Sequence, residues 1–153
     1  REIFPEAPEA YSYQAAAIAE KLRNELLEEG TSFCFETVFS HPSKIDFLAK
    51  AKAYGYETIL VFIHLSSAEL NKARISQRIE EGGHAVPEEK VESRIPRTMQ
   101  NIKTALPIAD QTYLLDNSDH QQPFIMVAKI KDRDVTPVSQ TLPDWAKFLT
   151  ELL

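Results

Sequence analysis

The sequence predicts an α/β domain, and three observations support that assignment. Segments with helical periodicity alternate with short apolar segments, in the order helix, strand, helix, strand, helical hairpin, strand, strand, helix. Residues 57–65 are almost continuously apolar and β-branched, which is typical of a strand covered on both faces of a parallel sheet. The chain of 153 residues has no internal repeat or linker, so we predict a single domain over residues 1–153 with right-handed crossovers.

The first half of the chain predicts two helices and the strand between them. Residues 1–10 are rich in proline and predict a loop. A helix is predicted over 11–29, a short strand over 32–37, and a second helix from Pro42 to Gly55. The predicted inner faces of these helices carry Ile18, Leu22 and Leu26 in the first and Ile45, Leu48 and Ala49 in the second.

The second half begins with a helical hairpin. After the apolar strand, Ser66 and Glu69 form a capping box for a helix that ends at Gly82-Gly83. Pro87 starts the next helix, which runs to about residue 105 and contains Pro96, where we expect a kink or one lost hydrogen bond. The hairpin therefore spans about residues 68–105.

Three elements follow the hairpin. Residues 111–116 and 123–131 predict two strands, and residues 143–153 predict a closing helix. The apolar face of that helix carries Trp145, Phe148, Leu149 and Leu152, which we expect in the core.

The composition excludes several classes of function. A net charge of -6 argues against nucleic acid as the main partner. No apolar run approaches the roughly 20 residues needed to cross a bilayer, and no secretory signal is visible. The single Cys34 cannot form an internal disulfide and fits a reducing cytoplasm. We therefore expect a cytoplasmic protein that does not bind membranes.

Basic residues are concentrated in the hairpin. Residues 71–103 contain seven Lys and Arg against five Asp and Glu, although the whole chain is acidic. Arg78 and Arg94 lie on the two predicted helices, on either side of a Gly-Gly-His-x-Val-Pro turn. A guanidinium group can bind phosphoryl oxygens through two parallel hydrogen bonds. This pattern therefore predicts an arginine-bearing lid that closes over phosphates. The alternative is local salt bridges on the surface, with partners among Glu80, Glu81, Glu88 and Glu92.

The remaining residues of the hairpin are interpreted as support for the lid. Gly82 and Gly83 supply backbone freedom at its hinge, and His84 is interpreted as a hydrogen-bonding residue of the turn rather than a catalytic base. Arg74 and Arg97 are weaker candidates for phosphate contact and otherwise support the lid.

Polar residues follow two of the predicted strands, at the edge where open α/β sheets bind ligands. Glu36 and Thr37 end the strand at 32–37, where the alternative is that Glu36 caps the next helix. Asp116 and Asn117 end the strand at 111–116, where a contact with adenine or ribose competes with a simple Asx-turn. The histidines and Cys34 have no ligand spacing, so we expect no metal site of their own.

Taken in order, these motifs resemble those of the zeta-toxin-like group of P-loop kinases. The resemblance runs from about Tyr11 to Lys131. Its matching segments are Phe33-Cys-Phe-Glu36-Thr37-Val-Phe-Ser40, Ala51-Lys-Ala-Tyr-Gly55-Tyr56, Arg78-x-x-x-Gly82-Gly83-His84-x-Val86-Pro87, Arg94-x-x-Arg97-x-x-x-Asn101 and Asp116-Asn117-Ser118.

The resemblance implies a fold and an activity. Members share a doubly wound, mostly parallel sheet, bind ATP and Mg²⁺, and transfer a phosphoryl group; the best-known members phosphorylate UDP-N-acetylglucosamine and are restrained by an antitoxin. By resemblance, Arg78 and Arg94 act in catalysis, while Glu36, Thr37 and Ser40 face the acceptor, a small molecule with a hydroxyl group. Glu36 is also a candidate for accepting the hydroxyl proton, although the family places its general base upstream.

One part of the family pattern is missing from these residues. No Gly-x-x-x-x-Gly-Lys-[Ser/Thr] loop exists here, because the chain has only four glycines and none of them can form it. The family carries this loop between its first strand and first helix, upstream of Tyr11. We expect about 30–50 further residues there, from the usual length of a strand, loop and helix. Without that central strand, two neighbouring strands would leave backbone groups unpaired beside an exposed apolar slot.

Two alternatives to a nucleotide-sugar kinase remain open at this point. A chain that truly lacks the phosphate loop would be a non-catalytic module that binds a partner such as an antitoxin-like protein. An enzyme of the same fold would instead phosphorylate another substrate, such as a nucleoside or an RNA end.

Overall fold

A computed structural model describes residues 12–66, 88–119, 121–138 and 140–153. These ranges contain the helices α1 (Ser12–Glu28), α2 (Ser43–Ala53), α3 (Glu88–Ala105) and α4 (Asp144–Thr150). They also contain the strands β1 (Ile59–His64), β2 (Gln111–Asp116), β3 (Ile125–Lys131) and β4 (Asp134–Pro137), which form one sheet in the order β1-β2-β3-β4.

The sheet is mixed, whereas the sequence predicted a mostly parallel one. Strands β1 and β2 are parallel, with Ile59 opposite Gln111 and His64 opposite Asp116. The pairs β2–β3 and β3–β4 are antiparallel. Parallel pairing needs a long crossover, which only the β1–β2 connection provides; the short connections that follow β2 and β3 allow antiparallel pairing alone.

The turn between β3 and β4 explains why the sequence did not predict β4. Asp132 and Arg133 both adopt positive φ, at 51° and 70°. Two consecutive residues of this kind match the type I′ turn of a tight hairpin, for which Asn-Gly is the usual signal. Asp-Arg lacks the glycine, so the hairpin has no strong sequence signature.

Strand β1 lies at one edge of the described sheet. Its residues alternate between exposed and partly buried, so the prediction of a strand covered on both faces is wrong for the described residues. Leu60 and Phe62 pack against the core, while the opposite face remains open to solvent. The exposed fractions on that open face are 57% for Ile59, 52% for Val61 and 46% for Ile63.

The predicted strand at 32–37 is not formed. These residues lie outside every backbone ladder of the described sheet, which begins at β1. Aromatic packing holds the segment instead. Phe33 and Phe35 lie edge-on to Phe47 of α2, with ring centroids 6.3 and 5.6 Å apart, and Phe33 also contacts the ring of Tyr56. A strand requires a paired neighbour, and none of the described strands offers one here.

Helices α1 and α2 match their predicted positions closely. Gly55 ends α2 at a φ of 84°, and the backbone N–H of Tyr56 bonds back to the carbonyl of Ala51, as expected for a glycine C-terminus. The predicted stripe of α1 is wrong in its middle, since Ile18 and Leu22 are both about half exposed. Burial is concentrated at the C-terminal turn of α1, where the Tyr56 hydroxyl donates to backbone carbonyls. On α2, Ala51 is buried and Ala49 is exposed.

Helix α3 is the second helix of the predicted lid. It continues through Pro96 rather than ending there. The first helix of the predicted hairpin and its turn lie outside the described residues, including Arg74, Arg78, Gly82, Gly83 and His84.

One hydrophobic core joins the sheet, α3 and α4. Leu114 of β2 and Ala128 of β3 stand opposite each other and are both fully buried. The other members of this core cluster are Phe39, Ile102, Ala105, Leu106, Val127, Ile130, Ala146 and Leu149. Of the predicted apolar face of α4, only Leu149 is fully buried; Phe148 and Leu152 are exposed, and Trp145 is partly buried. No helix in the described ranges has the length and hydrophobicity needed to cross a membrane.

Asp110 ties three elements together at the amino end of β1 and β2. Its carboxylate accepts hydrogen bonds from the backbone N–H of Thr58 at 2.7 Å and from the Thr58 hydroxyl at 2.9 Å. It also forms an ion pair with Lys52 of α2. The hydrogen bond from Lys52 and then that from the Thr58 backbone lower the pKa of Asp110 to about 2.

This arrangement predicts a pH-dependent loss of stability when Asp110 is replaced by alanine. Because the pKa is lowered on folding, the carboxylate stabilises the fold above about pH 4, and this contribution is lost as the pH falls towards about 2. We expect Asp110→Ala to lower the free energy of unfolding by roughly 2 kcal/mol at pH 7, since buried Thr58 loses its acceptor. Urea titrations at pH 7 and pH 3 should show the difference from wild type shrinking at the lower pH.

Asp119 provides the control for that experiment. Its carboxylate is exposed and, among the described residues, accepts a local bond from the N–H of Gln121 alone. Asp119→Ala should therefore change the free energy of unfolding by less than about 0.5 kcal/mol at either pH. An Asp110→Ala effect that is equally large at pH 7 and pH 3 would contradict the proposed role of the ionised carboxylate.

Candidate active site

The segment from Glu36 to Ser40, which we name the acceptor loop, contains a strained residue. Phe39 has a φ of 60° and is only 8% exposed. A bulky residue in this left-handed region costs roughly 1–3 kcal/mol relative to its preferred conformations. The Thr37 hydroxyl accepts a hydrogen bond from the Phe39 N–H at 3.3 Å. Glu36 and Thr37 are exposed and Ser40 is partly buried. The loop therefore presents polar groups to solvent, while the side chain of Phe39 is buried.

Helix α3 is bonded directly to the acceptor loop. The Thr98 hydroxyl donates to the carbonyl of Val38 at 3.0 Å, and the Asn101 side-chain amide donates to the carbonyl of Phe39 at 3.0 Å. Two consecutive carbonyls of the loop are therefore held by side chains of one helix, across about 60 residues of sequence.

Arg94 shares a helix face with these two donors. Arg94, Thr98 and Asn101 are spaced i, i+4 and i+7, which places them on one side of an α-helix. Arg94 stands about 6 Å along the helix axis from Thr98, since each residue rises about 1.5 Å. Its side chain is partly buried and makes no ion pair or hydrogen bond with another described residue. Arg94 thus lies on the face of α3 that bonds to the acceptor loop, and its guanidinium has no described partner.

Arg97 differs from Arg94 in its bonding. Its guanidinium donates to the backbone carbonyl of Ser93 at 2.9 Å and to the Ser93 hydroxyl at 3.1 Å. Both bonds stay within α3, and the side chain is exposed. This geometry suits support of the helix more than contact with a phosphoryl group.

A second polar group lies where β1 and β2 end. The Asp116 carboxylate accepts the N–H of Ser118 at 2.8 Å, which is an Asx-turn. Asn117 is 4% exposed; its N–H donates to the carbonyl of His64, and its side-chain oxygen accepts the N–H of Phe124. The Ser118 hydroxyl accepts the N–H of Ser66. These bonds lock the carboxyl ends of the two parallel strands together.

His64 and Trp145 form an aromatic stack beside Asp116, with ring centroids 4.3 Å apart and an interplanar angle of 16°. Burial lowers the pKa of His64, and the charge of Asp116 opposes that shift. Burial acts to raise the pKa of Asp116, but hydrogen bonds from Ser118 and the charge of His64 outweigh it and lower that pKa. At neutral pH, Asp116 is therefore ionised and His64 is mainly neutral.

The indole N–H of Trp145 points into this group. It is buried and has no partner with hydrogen-bond geometry among the described residues. It nevertheless lies close enough to Asp116 to favour the ionised carboxylate. The charge of Asp116 is thus stabilised from the strand end and from α4 together.

Metal binding has no support in these ranges. Among the residues that the structure describes, no group of three or more His, Cys, Asp or Glu side chains is placed to hold a metal ion.

Comparison with known proteins identifies the family. Residues 2–135 match the Zeta toxin family. The chain belongs to the Zeta toxin family. This confirms the resemblance inferred from the sequence motifs. Family membership indicates a P-loop kinase-like fold.

A relative of the chain adds no functional detail. The chain is 30% identical over 93 residues to an uncharacterized protein of Haemophilus influenzae. That match covers 61% of this chain and 66% of the relative, so the chain spans slightly less than two thirds of the relative's length. No solved structure matches the chain.

Within this Zeta toxin family member, the predicted site residues that the structure describes outside α3 fall into two groups. Glu36, Thr37 and Ser40 lie on the acceptor loop, which is bonded to the helix that carries Arg94. Asp116 and Asn117 lie in a second group, at the carboxyl ends of β1 and β2 and beside α4. Sequence reasoning gave no role to Thr98, His64 or Trp145, and it noted Asn101 only as part of a motif. For His64, a polar residue at the carboxyl end of a strand was an available signal.

Proposed function

We propose that the natural protein transfers the γ-phosphoryl group of ATP to a hydroxyl group of a small molecule. A nucleotide sugar such as UDP-N-acetylglucosamine is the first candidate for the acceptor. The observation that carries this proposal is the placement of Arg94 on the face of α3 that bonds to the acceptor loop. A guanidinium beside a loop of exposed polar groups can bind phosphoryl oxygens next to an acceptor hydroxyl.

Each part of the site has a distinct task in this proposal. Glu36 and Thr37, whose side chains are open to solvent, orient the acceptor hydroxyl, and Ser40 completes that surface. Arg94 stabilises the negative charge that spreads over the transferred phosphoryl oxygens in the transition state. Arg78 is assigned the same task by sequence. Asp116 and Asn117 shape the strand ends where the nucleotide base or ribose would lie.

The proposal also needs a phosphate-binding loop, which the family carries before the segment that begins here at Tyr11. Strand β1 has a free edge in the described sheet, and its open face is apolar. In the arrangement of the family, a strand that carries this loop and pairs with such an edge would place its backbone N–H groups at the carboxyl ends of β1 and β2, where they would hold the phosphates.

A direct transfer assay tests this function. The natural gene product is incubated with radiolabelled ATP, magnesium chloride and UDP-N-acetylglucosamine, and phosphorylated products are separated by chromatography. A panel containing nucleosides and an RNA with a free 5′ hydroxyl is assayed in parallel. A labelled phosphomonoester on the nucleotide sugar supports the proposal in full, and one on another small hydroxyl compound changes only the acceptor.

Two outcomes would count against a kinase. If ATP fails to bind in calorimetry, or if no hydroxyl compound is labelled, the phosphotransferase proposal is wrong. The remaining interpretation would be a partner-binding module, and the exposed face of β1 would be the first surface to examine.

A further inference from the structure

The hydrogen bonds between α3 and the acceptor loop have a geometry that simple helix packing does not require. Two donors, Thr98 and Asn101, take two successive carbonyls of the loop, those of Val38 and Phe39. Successive carbonyls of an extended segment point to opposite sides. The positive φ of Phe39 breaks that alternation, so the strained backbone and the two donors belong to one arrangement.

The buried ring of Phe39 is a further anchor for the acceptor loop. Phe39 belongs to the core cluster that also contains Ile102 of α3 and Leu114 of β2. The loop is thus anchored to the core by a side chain and to α3 by backbone carbonyls. A conformation of this kind persists only where its surroundings over-determine it, and such positions are concentrated at functional sites.

We propose that Thr98 and Asn101 are positioning residues that hold the acceptor loop in register with Arg94. This inference rests on the proposed phosphotransferase function and extends it. Since Arg94, Thr98 and Asn101 occupy one face of a single helix, the two hydrogen bonds fix the backbone of the loop relative to the helix position that carries Arg94. A loop released from α3 would bind the acceptor hydroxyl in a wider range of positions relative to the phosphoryl group.

A purely structural role makes a different prediction. If these bonds only satisfied two carbonyls, their loss would lower stability and leave substrate binding unchanged below the melting temperature. If they position the loop, their loss raises the KM for the acceptor while the KM for ATP stays the same. The ratio of the two KM values therefore separates the two roles.

Helix α3 offers a matched control. Thr104 lies on the same helix, and its hydroxyl donates to the carbonyl of Gln100 at 3.0 Å, within the helix itself. Thr98→Val and Thr104→Val remove the same hydroxyl from the same helix, but only the first removes a bond to the acceptor loop. Thr98→Ser keeps the hydroxyl and should restore the behaviour of the wild type.

The experiment measures steady-state kinetics of the natural gene product and these variants, with ATP and UDP-N-acetylglucosamine or the acceptor found in the panel. We expect Thr98→Val and Asn101→Ala to raise the acceptor KM by about tenfold, with the KM for ATP changed by less than about twofold. Thr104→Val and Thr98→Ser should match the wild type. An unchanged acceptor KM in Thr98→Val, or an equal rise in Thr104→Val, would overturn the inference.

A second readout separates this inference from the proposed function. Amide hydrogen exchange of the acceptor loop needs no substrate. Thr98→Val should speed exchange by about tenfold at the Phe39 amide, which donates to the Thr37 hydroxyl, whereas Thr104→Val should not. If the wild type phosphorylates no hydroxyl compound, the proposed function is wrong and so is the positioning role. This holds even if hydrogen exchange shows that Thr98 stabilises the acceptor loop. If the wild type is active and exchange in Thr98→Val is unchanged, only the positioning inference is wrong.

Discussion

Arg94→Ala is expected to lower the turnover number of the natural protein by about 10³-fold. Arg94 lies one helical turn from Thr98, on the face of α3 that bonds to the acceptor loop, and no described residue pairs with its guanidinium. Its removal takes away charge stabilisation that is needed only in the transition state, so kcat should fall much more than the KM for ATP rises. The measurement is steady-state phosphoryl transfer to the acceptor identified in the panel.

Arg97→Ala is the matched control for this variant. Arg97 lies on the same helix and has the same charge, but its guanidinium is bonded to Ser93. We expect its turnover to stay within about tenfold of the wild type. Both variants should unfold within about 0.5 kcal/mol of the wild type, which would show that the fold is intact. Near-normal turnover in an Arg78→Ala, Arg94→Ala double variant would contradict an arginine lid.

The parts of the fold that the sequence predicted are those with local signals. The apolar run at 57–65, the glycine end of α2 at Gly55 and the start of α3 after Pro87 all depend on residues close in sequence. The parallel pairing of β1 and β2 also followed, because two strands joined by a long helical connection pair in parallel. The hairpin of β3 and β4 did not follow, since its turn lacks the usual glycine signal.

Burial was harder to predict than secondary structure. The pattern of α1 gave the correct helix, but Ile18 and Leu22 remain exposed. The contacts of α1 with other described elements begin at Arg23 and Asn24, nearer its C-terminal end. The segment at 32–37 has the composition of a strand, yet strand formation depends on a partner that its own residues do not specify. Periodicity reports the preference of a segment, while packing depends on its neighbours.

The candidate site shows the same division. Motif spacing selected Glu36, Thr37 and Arg94, because each falls in a short recognisable pattern. The bonds from Thr98 and Asn101 to the acceptor loop were not predictable, since they join residues about 60 positions apart and depend on the strained φ of Phe39. The stack of His64 on Trp145 likewise brings together residues from β1 and α4 that no spacing rule connects.

Leu114→Ala tests the core that supports both parts of the site. Leu114 is fully buried, stands opposite Ala128 and belongs to the same cluster as Phe39 of the acceptor loop. Since Ala128 is small, little side-chain volume can move into the cavity, and we expect a loss of about 3 kcal/mol in the free energy of unfolding. That loss corresponds to a fall of roughly 6–12 °C in Tm for a domain of this size, measurable by calorimetry.

Leu115→Ala supplies the comparison, because the neighbouring side chain points to the other face of β2 and is only partly buried. Its cost should stay below about 1.5 kcal/mol. Well below its Tm, Leu114→Ala should keep a turnover number near that of the wild type, which is the reverse of the behaviour expected for Arg94→Ala. A cost for Leu114→Ala as small as that of Leu115→Ala would show that β2 does not pack against α3 and α4 as described. The bonds that join α3 to the acceptor loop would then lose the support of a common core.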